Sequence, residues 1–500
     1  MTELPDDVEQ LKAMLLQLQQ EKQAQAEEII ELKSTVQLLT EQLNLSKSKR
    51  FASQSEKHPN KGTFNEAEQQ NKPAPKHHKK GRKPLPDTLE RETRVHTLNA
   101  PYCDCCGGAM HECGSDTSEE LKIIPQKVSV IRHQRTKYAC RICEKTALQS
   151  QIITAPKPAS MIPRSIASPE TLAAVATAKY VDALPLYRQV DILKRADIDI
   201  SRGTLANWCV QLGVKVNVLV DAMKQHLLNE SLVCADETTV QVLDEPDRAA
   251  TSKSYMWVYR SGEFASSPVV IYDYQPSRAQ ICPKDFLGDY SGYLLCDGYK
   301  AYEGLKQVTL AGCMAHARRK FTDAQKAQPK SKSGRAEKAL GYIGKLYGVE
   351  SQSKSLGADN RHRHRQEKAK PILAEFHTWL KESQEKVLPK SLIGKAINYT
   401  LNQWDKLTTY LEDGNISIDN NVTERDIRPF TTGRKNWLFS KSVAGAKASA
   451  NLYSVVMTCR ANDINPYYYF LHLFRELPTR VPGADLSDLL PWNVDFSEAE

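Results

Sequence analysis

The hydrophobic positions near the start of the chain repeat every seven residues. With Val8 in the first position of the heptad, nine of the eleven seam positions up to residue 43 are apolar, and Lys22 and Gln25 are the polar exceptions. Apolar residues at the first and fourth heptad positions are typical of coiled coils. The pattern predicts a coiled coil over residues 1–46 that joins copies of the chain into a homodimer or larger assembly. A lone amphipathic helix packed on its own protein is the alternative.

Residues 47–98 show no such periodicity. They are rich in Lys, Pro, Ser, Asn and Gln and carry thirteen basic against six acidic residues, which predicts a basic disordered linker. Its densest basic run either binds the phosphate backbone of DNA through counterion release or is a solvated charge run. The candidate DNA contacts in this run are Lys79, Lys80, Arg82 and Lys83.

Two Cys-x-x-Cys pairs lie in residues 99–150. Each pair can present two thiolates to one metal ion, so together they predict a zinc-binding ribbon, with redox chemistry or unligated thiols as alternatives. Cys105 and Cys113 are spare thiols that compete for the same role. The predicted Zn²⁺ ligands are Cys103, Cys106, Cys140 and Cys143.

Residues 160–226 have helical periodicity. A helix, a short turn and a second helix that Ser201 can cap form the pattern of a helix-turn-helix DNA-binding domain. Ordinary helical hairpins share this pattern. In the DNA-binding interpretation Leu205 and Trp208 pack inwards, and the DNA contacts are Arg202, Thr204 and Asn207.

Three acidic residues follow in contexts that suggest metal chemistry. The apolar run 232–235 leads to Asp236, the run 293–296 leads to Asp297, and Glu424 lies in the first turn of a predicted helix. A carboxylate at the end of a buried strand is unfavourable unless it is paired or holds a metal, although each aspartate alone could simply cap its strand. Together the three predict a site for two Mg²⁺ (or Mn²⁺) ions about 4 Å apart, as phosphoryl transfer requires.

The order of elements around these acids predicts the fold class. Residues 228–322 give the order β-β-β-α-β-α-β, which is the ribonuclease H-like layout. Residues 323–412 are predicted as a helical insertion, 413–460 as the closing helices of the core, and 461–500 as a C-terminal tail. The chain is therefore predicted to be multidomain, with an α/β ribonuclease H-like catalytic core that follows the coiled coil, zinc ribbon and helix-turn-helix.

Inside the insertion, the pattern predicts helices over residues 370–387 and 392–411. The basic run 361–365, Arg-His-Arg-His-Arg, precedes them. It is interpreted as a solvated loop or a phosphate contact.

Charge and composition narrow the class of protein. The net charge is +8, and 40% of residues are hydrophobic, which permits a globular interior. No run approaches the roughly 20 apolar residues of a membrane helix, and no secretory signal is visible, so the cytoplasm is the expected compartment and no membrane partner is expected. The acidic start and the basic linker suggest separate tasks for these two segments.

Taken together, these motifs resemble the large transposase of the insertion-sequence-66 type, a bacterial family of DDE transposases. The segments that carry the resemblance are Cys103–Gly108, Tyr138–Cys143, Leu184–Val190, Ser201–Trp208, Ala235–Thr238, Cys296–Tyr302, Gly312–Phe321, Ile418–Arg428 and Leu489–Trp492. They occur in this order over almost the whole chain.

The resemblance implies an enzyme that cuts double-stranded DNA at the ends of its mobile element and joins the 3′ hydroxyls to target DNA. It assigns the catalytic triad to Asp236, Asp297 and Glu424, and it implies accessory proteins encoded by the same element. Cys313-x-x-His316 looks like a signature of related transposases. Two other readings remain open: a zinc-containing DNA-binding regulator without catalysis, and a metal-dependent nuclease that cuts without joining.

Three basic residues lie where a predicted strand gives way to a helix after the second aspartate. They are candidate contacts to the scissile or flanking phosphate, for which the fork of an arginine is suited. Surface solvation is the alternative. These residues are His316, Arg318 and Arg319.

Overall fold

The computed structural model describes residues 7–51, 128–139, 152–327 and 334–496. The chain divides into two compact units, a smaller one of residues 72–157 and a larger one of residues 1–71 and 158–500. The predicted zinc ligands and the basic residues of the predicted linker lie outside the described residues: Cys103, Cys106, Cys140, Cys143, Lys79, Lys80, Arg82 and Lys83.

The described part of the smaller unit is a short antiparallel ribbon. Strand β1 (Lys137–Ala139) pairs with β2 (Ile152–Thr154), with Tyr138 opposite Ile153. Beyond the ribbon, Arg135 Nε donates a hydrogen bond to the carbonyl of Ala155 at 2.5 Å.

The larger unit begins with the helix α1 (Val8–Phe51), which is 44 residues long. Its C-terminal part contacts the rest of the unit through polar side chains. Asn44 Nδ2 donates to the Ala327 carbonyl at 3.2 Å, and Glu41 Oε2 accepts a hydrogen bond from the Leu392 N–H at 3.0 Å. Seam residues such as Leu32 remain more than half exposed.

Four helices precede the sheet: α2 (Pro169–Tyr180), α3 (Leu186–Lys194), α4 (Arg202–Lys215) and α5 (Asn217–Leu228). Ser201 caps α4 as expected, because its Oγ accepts a hydrogen bond from the Thr204 N–H at 3.0 Å. Leu205 and Trp208 are buried, and they belong to the hydrophobic cluster that also covers the sheet. The helices predicted as a DNA-binding domain therefore share a core with the sheet.

The centre of the larger unit is a mixed sheet. Its strands are β3 (Leu232–Asp244), β4 (Lys253–Ser261), β5 (Val270–Gln275), β6 (Tyr293–Cys296), β7 (Thr309–Gly312) and β8 (Ser440–Ser442). The order is β5-β4-β3-β6-β7, and β8 pairs with the distal part of β3. The first three strands are antiparallel, whereas β3, β6 and β7 are parallel.

The parallel strands need crossovers, and α6 (Ile281–Leu287) and α7 (Lys300–Glu303) lie in them. The order β-β-β-α-β-α-β predicted from the sequence is confirmed in these elements.

Strand β3 is apolar at its start because both of its faces are covered there. Leu232 and Cys234 belong to one hydrophobic cluster, and Val233 and Ala235 to the other. The expectation that the strand ends at Asp236 was wrong. Pairing with β4 continues as far as Gln241, so β3 extends well beyond Asp236.

The segment predicted as an insertion is helical in its described residues. It begins within α8 (Met314–Ala327), which starts in the part predicted as core, and continues with α9 (Arg335–Ser353), α10 (Ala358–Gln384), α11 (Leu392–Asn402) and α12 (Trp404–Thr408), followed by a 3₁₀ turn at Thr409–Leu411. Phe321, Ile343 and Phe376 bury against one another in the cluster that also contains Leu232 of β3. The insertion thus packs on one face of the sheet.

The basic run 361–365 is not a loop. Its two arginines that are buried are not available to contact phosphate. Helix α10 begins at Ala358 and continues through Pro371, so the run is helical. Arg365 is fully buried, where it pairs with Glu350 and donates to the carbonyls of Tyr410 and Asp413, both at 2.9 Å.

Arg361 is buried in the same way. Its guanidinium donates to the Gly414 carbonyl at 2.6 Å and lies over the Phe264 ring at 3.4 Å. Through these hydrogen bonds the two arginines connect α10 to residues 410–414, the segment that leads back to the core.

Three helices complete the unit: α13 (Asn421–Trp437), α14 (Val443–Ala461) and α15 (Pro466–Glu476). Helix α14 covers the outer edge of β5, since the N–H groups of Tyr272 and Val270 donate to Ser454 Oγ and Thr458 Oγ1 at 2.8 and 3.0 Å. This protects an edge strand that would otherwise pair with another chain. Among the described helices, none has the length and apolar character needed to cross a membrane.

Replacement of Arg365 by leucine is expected to lower the free energy of unfolding by about 3–5 kcal/mol, because it leaves Glu350 and two carbonyls without their donor. Arg363→Leu, on an exposed position of the same helix, is the matched control and should change it by less than about 0.5 kcal/mol. Denaturant unfolding of the full chain measures both. Equal stability of the two variants would contradict a structural role for Arg365.

Candidate active site

The sheet brings Asp236 and Asp297 together. Strands β3 and β6 run parallel, and their last paired residues are Cys234 and Leu295. Continuing the same register by two residues places the two aspartates opposite each other. Asp236 therefore marks the end of the parallel pairing, although its own strand continues along β4.

Each aspartate is held by a nearby backbone N–H. Asp236 Oδ1 accepts from Glu237 at 2.8 Å, and Asp297 Oδ1 accepts from Tyr299 at 2.9 Å. Burial raises the pKa of Asp236 to about 8, with a further contribution from the charge of Glu237 and then from Asp297 and Glu424. The backbone hydrogen bond from Glu237 opposes this shift only in part. Without a cation, Asp236 therefore keeps its proton at neutral pH.

Glu424 comes to the same neighbourhood on the first turn of α13, as predicted. Both of its carboxylate oxygens accept hydrogen bonds from Arg319 Nη2 of α8, at 3.1 Å each. His316 Nε2 lies 3.7 Å from Glu424 Oε1. Burial lowers the pKa of His316, and the charge of Glu424 opposes the shift.

The three basic candidates on α8 have different surroundings. Arg319 is 54% exposed and His316 is 23% exposed at the side chain. Arg318 is buried, with only 9% of the residue exposed, so a DNA contact by this residue stays a prediction that would require its side chain to move. Adjacent residues on a helix point in different directions, so Arg319 alone of the two arginines lies on the open side.

Glu237 directly follows Asp236, but no role was predicted for it from the sequence. Its side chain is only 1% exposed, pairs with Arg278 and accepts a hydrogen bond from the Tyr302 hydroxyl at 2.8 Å. The Arg278 guanidinium lies over the Tyr299 ring at 3.6 Å, and the Tyr299 hydroxyl donates to the Arg278 carbonyl at 2.8 Å. This network links the neighbours of both aspartates. The sequence signal that could have identified Glu237 was its position directly after Asp236, as the second of two consecutive acidic residues.

The insertion also reaches the site. A Cβ on Gly298, the residue after Asp297, would lie 3.1 Å from the ring of Tyr399 on α11. A larger residue at this position would therefore require the Tyr399 side chain to move by a few tenths of an ångström. On the other side, the Tyr347 hydroxyl of α9 donates to Asp419, just before α13, at 2.5 Å.

The remaining candidate contacts are placed on α4. Arg202 and Asn207 are exposed, whereas Thr204 is half-buried and its hydroxyl lies 2.9 Å from Ser201 Oγ. Within the described ranges, no three His, Cys, Asp or Glu side chains converge closely enough to surround one metal ion.

The sequence profile of the transposase IS66 family matches residues 164–448, a range that contains all three carboxylates. The chain belongs to the IS66 transposase family. Two further profiles of this family match it: the zinc-finger binding domain at residues 101–144 and the C-terminal element at residues 454–492. The first of these ranges includes all four cysteines predicted as zinc ligands, which supports zinc binding by this part of the transposase.

Relatives in Sinorhizobium fredii (strain NBRC 101917 / NGR234) extend the similarity along the chain. The uncharacterized protein y4qI is 32% identical over 98% of each chain. The uncharacterized protein y4jD is 31% identical over 82% of this chain and 81% of its own, and y4hP is 32% identical over 82% and 76%. The match to y4qI therefore covers nearly all of both chains, and the other two matches cover about three quarters or more of each.

Asp236→Asn is expected to stabilise the transposase at high pH in the absence of divalent metal. Because the pKa of Asp236 is raised from 3.8 to about 8 on folding, the folded chain keeps a proton that the unfolded chain releases between these values. The stability of the wild type therefore falls as the pH rises through this window. The variant does not lose stability in this way, because asparagine does not ionise. At pH 8.5 the variant should be more stable by more than about 1 kcal/mol, and at pH 4 the difference should vanish.

Thermal unfolding at the two pH values, in EDTA, measures this difference. Asp289→Asn changes the same chemical group at an exposed position and should follow the wild type at both. If the stability difference for Asp236→Asn is the same at pH 4 and pH 8.5, then Asp236 ionises as readily in the folded chain as in the unfolded one.

Proposed function

We propose that this IS66 transposase cuts DNA at the ends of its element and joins the 3′ hydroxyls to target DNA, with Asp236, Asp297 and Glu424 as the ligands of two Mg²⁺ (or Mn²⁺) ions. One observation carries the proposal. The two glutamates at the site each have an arginine, Arg278 for Glu237 and Arg319 for Glu424. Among the described residues, the adjacent aspartates have no ion pair with any basic side chain.

The donor set suits Mg²⁺. All three side chains offer hard carboxylate oxygens, and Asp236 is largely buried, where an uncompensated negative charge is unfavourable. A cation bound there would lower the raised pKa of Asp236, because it would stabilise the ionised carboxylate against the effect of burial. Since Glu424 is bound to Arg319, its use as a ligand requires the carboxylate to leave that arginine.

When bound, the metal ions would lower the pKa of a water or of a 3′ hydroxyl and neutralise charge on the leaving oxygen. The protein's own groups hold and orient the DNA around this chemistry. Arg319, once it has exchanged Glu424 for DNA, offers a planar fork to the scissile or flanking phosphate. His316, whose pKa is lowered, can contact the same region as a neutral imidazole.

A ribonuclease H-like core is the fold that this site suggests. The parallel strands β3 and β6 carry the aspartates into adjacent positions, the antiparallel strands β4 and β5 extend the sheet beyond β3, and a helix far along the chain supplies the glutamate. The chemistry needs no covalent bond between protein and DNA, so no serine or tyrosine nucleophile is required.

The DNA contacts away from the carboxylates also remain proposals. The exposed residues Arg202 and Asn207 at the start of α4 are suited to base or phosphate contacts in a helix-turn-helix. Thr204 would have to exchange its contact with Ser201 to do the same. The basic residues of the linker would add affinity that does not depend on DNA sequence. Accessory proteins of the same element are a prediction from the family resemblance.

A zinc-containing regulator without catalysis gives no reason for two adjacent aspartates without a basic partner. A nuclease that cuts without joining would use the same carboxylates, so strand joining has to be tested separately.

Asp297→Asn is expected to reduce cleavage of a duplex that carries an end of the encoding element by at least about 10³-fold, because it removes one charge from the metal ligands. Binding of that duplex should be unchanged, since binding depends on other surfaces. The exposed Asp289→Asn is the matched control and should cleave as the wild type does.

Gel separation of cleaved strands and a shift assay measure the two quantities. Normal cleavage by Asp297→Asn would remove Asp297 from the site. Joining is tested with a duplex that already ends in the 3′ hydroxyl, mixed with a target plasmid and Mg²⁺ or Mn²⁺. Cleavage without any joined product would favour the nuclease.

We further propose that α1 forms a coiled coil with a second copy of the chain. Its polar face contacts α8 and α11 of its own protein, which leaves the apolar seam free to pair. The seam residues Val8, Leu15, Leu18, Ile29, Leu32, Val36, Leu39 and Leu43 are between 49% and 63% exposed. An isolated surface helix rarely leaves a continuous apolar stripe in water.

Leu32→Lys, on the seam, is expected to convert the oligomer to a monomer or to weaken it at least about tenfold, because it puts a charge at a fourth heptad position. Ile30→Lys is the matched control: Ile30 is 68% exposed but lies off the seam. Light scattering coupled to size exclusion measures the mass of both. Equal masses for wild type and Leu32→Lys would contradict pairing through the seam.

A further inference from the structure

Asn420 stands just before the helix that carries Glu424, but it does not act as a capping side chain. It occupies the N-cap position of α13, but its side chain accepts no hydrogen bond from a backbone N–H of the first turn. The preceding Asp419 performs that task, because its Oδ1 accepts from the Asn421 N–H at 3.1 Å. Asn420 is only 2% exposed, so its amide group is available for bonds inside the protein.

Those bonds join three parts of the site. Asn420 Nδ2 donates to the carbonyl of Ala235, the residue before Asp236, at 2.9 Å. Its Oδ1 accepts from Thr423 Oγ1 at 2.5 Å, inside α13. Its backbone N–H donates to the Sγ of Cys313, which follows β7, at 3.2 Å.

The same residue is also linked directly to Glu424, whose N–H donates to the Asn420 carbonyl at 3.2 Å in the first turn of α13. A short chain of hydrogen bonds thus runs from the backbone next to Asp236, through the amide of Asn420, to the backbone of Glu424. The side chain of Thr423 is also hydrogen-bonded to Cys234 of β3, two residues before Asp236.

We propose that Asn420 is a positioning residue that fixes Glu424 relative to Asp236 and thereby sets the affinity of the site for divalent metal. This inference rests on the proposed function. Metal ligands must be held within about 0.5 Å of their productive places. An amide of this length supplies both the donor for Ala235 and the acceptor for Thr423. An aspartate would face the Ala235 carbonyl with a second acceptor, and an alanine would supply neither group.

The experiment measures metal binding directly. The full chain, with a duplex that carries an end of its element, is titrated with Mn²⁺, and free Mn²⁺ is followed by electron paramagnetic resonance. Asn420→Asp should weaken Mn²⁺ binding by about 10- to 100-fold, the usual effect of losing a group that orients a metal ligand. Mg²⁺-dependent cleavage should shift to higher metal concentration by a similar factor, and DNA binding should not change.

Thr423 provides a conservative test of the same bond, which decides the question if Asn420→Asp does not fold. Thr423 is fully buried. Thr423→Val keeps the shape and loses the donor to Asn420, so it should weaken Mn²⁺ binding, whereas Thr423→Ser keeps the donor and should restore it. A role in stability alone would lower the melting temperature without moving the metal titration. Asn360→Asp, at an exposed position of α10, controls for the added charge.

Asp297→Asn, titrated in parallel, separates the two claims. If it binds Mn²⁺ and cleaves DNA as the wild type does, the proposed function itself fails. If it loses both while Asn420→Asp and Thr423→Val titrate like the wild type, the proposed role of Asn420 alone is overturned.

Discussion

The site depends on the electrostatic repulsion between carboxylates that the fold places close together. Asp236 is largely buried beside Glu237, and the charges of Asp297 and Glu424 raise its pKa further, to about 8. Such a cluster is unfavourable unless a cation neutralises it. Arg278 and Arg319 do so for the two glutamates, whereas in the described residues neither aspartate has an ion pair. The proposed metal ions therefore have a physical reason to bind between the aspartates.

The helical insertion holds this unfavourable arrangement in place. Arg365 and Arg361 bind carbonyls of the segment that leads back to the core. Tyr347 then binds Asp419 at the start of α13, and Tyr399 packs on the turn after Asp297. The residues between the second and third carboxylates are thus a scaffold that returns Glu424 to the sheet.

The parts of this arrangement that depend on local pattern were predictable. The strand order, the Ser201 cap and the first-turn place of Glu424 all follow from periodicity and capping chemistry. The length of β3 was not predictable, because the polar residues after Asp236 stay in the sheet only through their pairing with β4. The extent of α10 was also not predictable from local pattern, because the helix continues through Pro371, a residue that usually marks a helix boundary. Burial of Arg318 and Arg365 depends on partners that no local pattern reveals, and a charged residue is exposed by default.

The central claim is that Asp236, Asp297 and Glu424 hold metal together. Anomalous diffraction from crystals of the full chain with Mn²⁺ and a duplex carrying an end of its element tests it most directly. We predict manganese peaks in contact with oxygens of all three side chains, with Glu424 no longer bound to Arg319. Peaks that touch none of them, or an ordered complex in which Glu424 remains on Arg319 and away from the metal, would contradict it.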